Sequence, residues 1–193
     1  MNTKTEADIP STHDEAHLAK TTNVNNTRMA PQLHPDVRIG HIHLKVSDID
    51  RSIKFYRDVL GFDIQSKLPG AVFLSAGGYH HHIGINIWAG KDAKKPAPNT
   101  TGLYHFAILY PTRQELAKAL QRLLDNNYPI DGFADHGVSE AIYLEDPDGN
   151  GIELYWDKPR KDWPKDISGN LEMYTKNLDI DSLLKENVKN NEI

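Results

Sequence analysis

HIHLKV at residues 41–46 and HFAILY at residues 105–110 are two short apolar runs that each open on a histidine. Apolar and polar positions alternate in the first, and both have the length and bounds of strands. Each is followed by a segment with helical spacing. In the first these positions are Ile49, Ile53, Phe55, Tyr56, Val59 and Leu60, and in the second Leu116, Ala119, Leu120, Leu123 and Leu124. The two histidines are offset by 64 residues, and at that offset Leu44 falls on Ile108, Ile53 on Ala117, Tyr56 on Leu120 and Leu60 on Leu124. The chain therefore contains an internal repeat. Further strand-like runs follow in each copy, ending in HHHIGINIW at 80–88 and NGIELYW at 150–156. Each copy has the order strand, helix, then about three strands.

Outside the repeat the composition changes. Residues 1–35 are polar, with too little apolar area to offset the entropy of ordering them, and are expected to be a flexible tail. The charged, proline-containing run KDAKKPAPNT at 91–100 has the character of a linker. It separates a first module, 37–90, from a second, 101–158. Residues 161–193 form a carboxy-terminal extension whose Leu178, Ile180, Leu183 and Leu184 suit packing on the core or on a second subunit.

The net charge of −5, with no basic stripe, gives no electrostatic reason to expect nucleic acid. A small-molecule partner fits better. No apolar stretch reaches membrane-spanning length and the amino terminus lacks the apolar centre of a secretory signal, so a cytoplasmic protein is expected. The absence of cysteine excludes disulfides and thiolate ligands. Any metal must be held by nitrogen and oxygen.

His41, His105 and Glu153 are the candidate ligands. A lone histidine on an apolar strand is more often a satisfied structural residue than a ligand, since neutral imidazole needs only two hydrogen-bond partners. Here the same residue opens the first strand of both copies. Glu153 lies between Ile152 and Leu154, where an unpaired carboxylate costs on the order of several kcal/mol unless a cation or donor compensates it. Two imidazoles and a carboxylate on one face of an octahedron leave three adjacent positions open. By strand alternation His41 shares a face with His43, and His80 with His82, Gly84 and Asn86. DPDGNG at 146–151 is first a turn, since Asp-Gly and Asn-Gly tolerate positive φ.

These residues resemble the vicinal oxygen chelate superfamily, and within it the extradiol, catechol 2,3-dioxygenase-type ring-cleaving enzymes, over residues 37–160. The resemblance implies an α+β protein of two βαβββ modules around a central metal site. It implies His41 in HIHLKV, His105, and Glu153 after the DPDG turn as metal ligands. A substrate-binding tyrosine ten residues before the glutamate falls on Tyr143. An acid/base histidine in an HH strand falls on His82, with His81 the second choice. A histidine near the oxygen and ring-opening atoms falls on His136 in DHGVSEAIY. The implied cofactor is Fe(II), with Mn(II) the alternative, and the implied partners are a catecholic aromatic, O2 and a second copy of the chain. Lyases of the glyoxalase type add a fourth ligand, a glutamate in the last strand of module one, and no glutamate occurs between Glu15 and Glu115. Many extradiol enzymes carry four modules, whereas this chain has room for two. The rival readings are another metal-dependent enzyme of the same fold (lyase, isomerase or thiol transferase) and a small-molecule binding or resistance protein.

Overall fold

The structure, a computed structural model, describes residues 31–97 and 99–187. Most of the expected amino-terminal tail lies outside the described residues. The first repeat folds as β1 (Ile42–Lys45), α1 (Ile49–Ile53, continuing as a π-helical stretch Lys54–Val59), β2 (Asp63–Leu68), β3 (Ala71–Ser75) and β4 (Ile83–Asn86). The second gives β5 (Phe106–Leu109), α2 (Arg113–Asp125), β6 (Gly132–Asp135), β7 (Ser139–Glu145) and β8 (Gly151–Asp157). A 3₁₀ turn at Arg160–Asp162 and a short α3 (Ile180–Lys185) complete the chain. Each repeat forms one four-stranded mixed sheet, ordered β1-β4-β3-β2 and β5-β8-β7-β6. This is the α+β architecture of paired βαβββ modules.

Each helix begins where a side chain caps it. Asp48 accepts from the Arg51 N–H, and Thr112 accepts from the Glu115 N–H. The repeat carries through the sheets: β1 pairs with β4 in parallel with His43 beside Gly84, and β5 pairs with β8 in parallel with Ala107 beside Glu153. At the offset of 64, His43 matches Ala107. Gly84 therefore occupies in module one the place that Glu153 occupies in module two.

Strand alternation sends Leu44, Val46, Ile83 and Ile85 of module one, and Ile142, Leu144, Ile152 and Leu154 of module two, into a single hydrophobic core. The helices lie within that core: Phe55, Tyr56 and Leu60 meet it from one side, Leu116, Leu120 and Leu123 from the other. Polar locks cross the module boundary. The buried Tyr56 hydroxyl donates to Asp146 Oδ2 at 2.7 Å. Asp148 Oδ1 accepts from the Ser47 N–H, the Ser47 hydroxyl and Arg51 Nη2 at 2.6–3.1 Å. The DPDG turn is thus a docking point for module one as well as a chain reversal. The extension closes over α2, with Leu178 and Leu183 buried and Arg113 bonded to Glu140 and to the Ser182 carbonyl. Among the described residues no helix is long and apolar enough to cross a membrane.

Candidate metal centre and neighbouring cleft

Glu153 stands on β8 directly opposite Tyr143 on β7, with Ala107 of β5 on its other side. His105, just before β5, reaches the same carboxylate: its Nε2 lies 3.1 Å from Glu153 Oε2. The Tyr143 hydroxyl donates to Glu153 Oε1 at 3.0 Å. His136, which leads from β6 toward β7, brings Nε2 to 2.7 Å from the same hydroxyl. Its other nitrogen lies 3.2 Å from Thr175 Oγ1 and 3.3 Å from the Tyr174 carbonyl. A hydrogen-bonded line, Thr175–His136–Tyr143–Glu153, results, and the His105 ring stands against its carboxylate end. The Glu153 side chain is 14% exposed, so each contact acts at a partly desolvated carboxylate. Burial, and then the Glu153 charge and hydrogen bond, push the Tyr143 phenol well above its ordinary value. It remains a donor across the neutral range.

A cleft of about 700 Å³ adjoins this line, bordered by Tyr104, His105, Phe133, Tyr143, Thr175 and Lys176. It has the size of a small-molecule site. Its far wall is the carboxy-terminal segment, held to the end of β6 by reciprocal backbone bonds between Asp135 and Lys176. The sequence carried no local signal for Thr175. It matters through docking of a distant segment, which no periodicity announces.

His41 is elsewhere. It lies just before β1 on the outward face of the other sheet, where its ring packs at a tilt of 50° against His81 with centroids 4.4 Å apart. His81 also packs on Phe73, and its Nδ1 lies 2.8 Å from His80 Nδ1. Burial and the neighbouring imidazoles, His41 first among them, lower its pKa. His82 has a different setting: its Nδ1 accepts from the Ala76 N–H and its ring lies on Tyr79. The regular strand begins only at Ile83, yet His82 still exchanges backbone bonds with Leu74 and Ile42. His43 lies over Gly84, where an added Cβ would come within 3.0 Å of the imidazole.

The structure thus brings His105, Glu153, Tyr143 and His136 together, and places His41, His81 and His82 in a second group. Among the described residues no three His, Asp or Glu side chains are grouped to hold an ion. His105 and Glu153 do fit a divalent cation as a pair of converging nitrogen and oxygen donors, two of the three that the sequence suggests.

The glyoxalase/bleomycin resistance protein/dioxygenase superfamily model matches residues 38–154. A catechol-2,3-dioxygenase of Bacillus subtilis is 44% identical over 155 residues, covering 80% of this chain and 53% of that protein. This chain therefore spans about half the length of that relative. A metallothiol transferase of Staphylococcus saprophyticus is 28% identical, covering 70% of this chain and 89% of its own length. The solved structure of a lactoylglutathione lyase from Agrobacterium tumefaciens superposes with a TM-score of 0.50 at 26% identity, over 64% of this chain and 96% of that one. The chain belongs to the glyoxalase/bleomycin resistance protein/dioxygenase superfamily.

Proposed function

We propose that the protein is a metal-dependent extradiol dioxygenase that opens a catecholic ring beside its two hydroxyls. The observation that carries this reading is the hydrogen-bonded line from His136 through Tyr143 to Glu153, with His105 Nε2 placed 3.1 Å from the same carboxylate. It provides a carboxylate and an imidazole for a cation, and beside them a phenol and a second imidazole that handle protons. Likeness to a catechol-2,3-dioxygenase supports the choice of substrate class. Gly84 at the place equivalent to Glu153 argues against a four-ligand lyase site, because it supplies no second carboxylate.

In this reading His105 and Glu153 would hold Fe(II), with Mn(II) as the alternative ion, while His41, the third ligand that the resemblance implies, lies beside His81 on the other sheet. Ferrous iron, when bound, supplies the electron transfer that allows a catecholate to react with dioxygen. The protein's part is orientation and proton handling. Tyr143, whose phenol stays protonated, hydrogen-bonds a substrate hydroxyl at the mouth of the cleft. His136, fixed by Thr175 and Tyr174, brings Nε2 to the oxygen of that phenol and is the imidazole that can hand a proton to the ring-opening product. We assign the second acid/base role to His81, because its ring faces His41 while the Nδ1 of His82 already accepts from Ala76.

Protein loaded anaerobically with Fe(II) is expected to consume oxygen with at least one member of a catechol panel and to yield a ring-opened product. Stoichiometric iron with no oxygen uptake on any catechol would overturn the dioxygenase reading and favour thiol-transfer or lyase chemistry on the same ligands. His81→Ala is expected to lower turnover about 10²- to 10⁴-fold with iron content retained. A fully active His81→Ala beside a dead His82→Ala would return the role to His82.

A further inference from the structure

We infer that Thr175 is a positioning residue: its hydroxyl, delivered by the carboxy-terminal segment, sets which nitrogen of His136 carries the proton and links that ring to water. The inference deepens the reading in which His136 hands a proton to the product, and it rests on that reading for the effect on turnover alone.

Thr175 reaches the site by tertiary packing. The Tyr174 N–H donates to the His136 carbonyl at 3.3 Å, and Asp135 and Lys176 exchange backbone hydrogen bonds at 2.8 and 2.9 Å. Gly137, at φ 80°, lets the segment lie close, since a Cβ there would come within 2.8 Å of both the Tyr174 ring and Pro164. Held between two bonded neighbours, Thr175 presents Oγ1 at 3.2 Å from His136 Nδ1.

A neutral imidazole has one proton for two nitrogens, so its partners decide where that proton sits. At Nδ1 the partners are the Tyr174 carbonyl, which can only accept, and the Thr175 hydroxyl, which can donate or accept. At Nε2 the partner is the Tyr143 hydroxyl, whose single proton goes to Glu153 Oε1. Two arrangements compete. With the proton on Nδ1, facing the carbonyl, Nε2 is a bare acceptor that draws the phenol proton away from the glutamate. The phenol oxygen and the carboxylate, 3.0 Å apart, then face each other with no proton between them. With the proton on Nε2, His136 donates to the phenol oxygen and the phenol donates to Glu153, so each proton lies between a donor and an acceptor. This second arrangement needs a donor at Nδ1, against the Tyr174 carbonyl at 3.3 Å. Among the described residues the Thr175 hydroxyl is the one that supplies it.

The hydroxyl also opens a route for protons. Thr175 is exposed, whereas His136 and Tyr143 are half-buried. When Nε2 gives its proton to a product, Nδ1 takes the Oγ1 proton, and water at the rim returns one to the hydroxyl and is left as hydroxide. The next substrate hydroxyl reloads Nε2, and the Nδ1 proton goes back through Oγ1 to that hydroxide, so no charge accumulates.

Nitrogen-15 NMR of the His136 ring, assigned by its loss in His136→Gln, tests the placement without turnover. In metal-free protein at about pH 8, above the ordinary imidazole pKa, the wild type and Thr175→Ser should carry the proton on Nε2. Thr175→Val, which keeps the size and loses the hydroxyl, should carry it on Nδ1. In oxygen uptake by the iron-loaded protein, Thr175→Val should lose about 10- to 10²-fold in kcat, part of what a whole acid/base group supplies, with KM changed less than about threefold. Thr175→Ser should recover most of that loss. A wild-type ring protonated on Nδ1 or on both nitrogens would overturn the inference. So would a Thr175→Val ring with the wild-type pattern, or a switched ring in an active enzyme whose kcat has not changed. A switch in the expected direction, in protein that consumes no oxygen with any catechol, would keep Thr175 as the positioning residue and remove the dioxygenase reading instead. Thr175→Ala replaces Thr175→Val in the same scheme if the latter does not fold.

Discussion

Tyr56 shows what one buried hydroxyl contributes. Its ring is fully buried among both modules, and burial together with the Asp146 carboxylate pushes its phenol well above the ordinary range. Tyr56→Phe keeps the packing and removes one charge-assisted hydrogen bond, while Asn150 still donates to the same Asp146 oxygen. The expected loss is about 1–3 kcal/mol in urea unfolding, with metal content per folded chain unchanged. A second residue ties stability to pH. Burial raises the Asp135 carboxyl, but the Lys158 ammonium at 2.7 Å and the Gly137 N–H outweigh it and leave the group below its ordinary value. Its folded pKa is lower than its unfolded one, so its contribution is present above about pH 4 and fades as the pH falls through the folded value. Asp135→Asn should therefore cost on the order of 1 kcal/mol at pH 7, and the cost should shrink as the pH falls through the folded value. A stability difference between parent and variant that stays constant through acid titration would rule out the ion pair as the cause.

At the scale of single elements, β8 meets the start of β5 at Gly151. A Cβ there would clash with the Tyr104 carbonyl oxygen, which is backbone and cannot swing aside. Gly151→Ala should push the start of β5 outward and carry His105 away from Glu153. We expect destabilisation of more than about 1 kcal/mol and a loss of metal affinity larger than the stability change explains, measured by calorimetric titration of the folded protein. Elements are also where the sequence is most legible. The 64-residue offset aligns the real cores of the helices at Ile53 with Ala117 and at Tyr56 with Leu120. It fails one turn later, where Leu60 is buried and Leu124 is exposed, because Leu123 takes the inward position. The cause is the π-helical stretch Lys54–Val59, whose wider turn accommodates one extra residue; the Leu60 N–H bonds to the Phe55 carbonyl five residues back. No propensity distinguishes that turn from an ordinary one. The histidine run is a similar case. Alternation would place His80 and His82 on one strand face, but the chain after Gly77 and Gly78, both at positive φ, enters as a bend, and His81 is the ring that meets His41.

For the whole molecule, residue chemistry was readable and module placement was not. Tyr143, ten residues before Glu153, lies across one hairpin from it, so local strand pairing suffices to join them. His41 and Glu153 are joined by no local rule, because they belong to different modules and different sheets. The shared core decides, by taking the opposite faces of both sheets inside. A thermodynamic consequence follows if the His105–Glu153 pair holds an ion in the folded chain and not in the unfolded one, since binding then adds to folding stability. At free metal 100 times its dissociation constant the gain is about 2.7 kcal/mol. Urea unfolding of the wild-type chain should shift to higher denaturant with Mn(II) than with a chelator, and Glu153→Gln chains should unfold at one concentration whether or not the ion is present. Wild-type curves that ignore the ion would mean that the pair holds no metal.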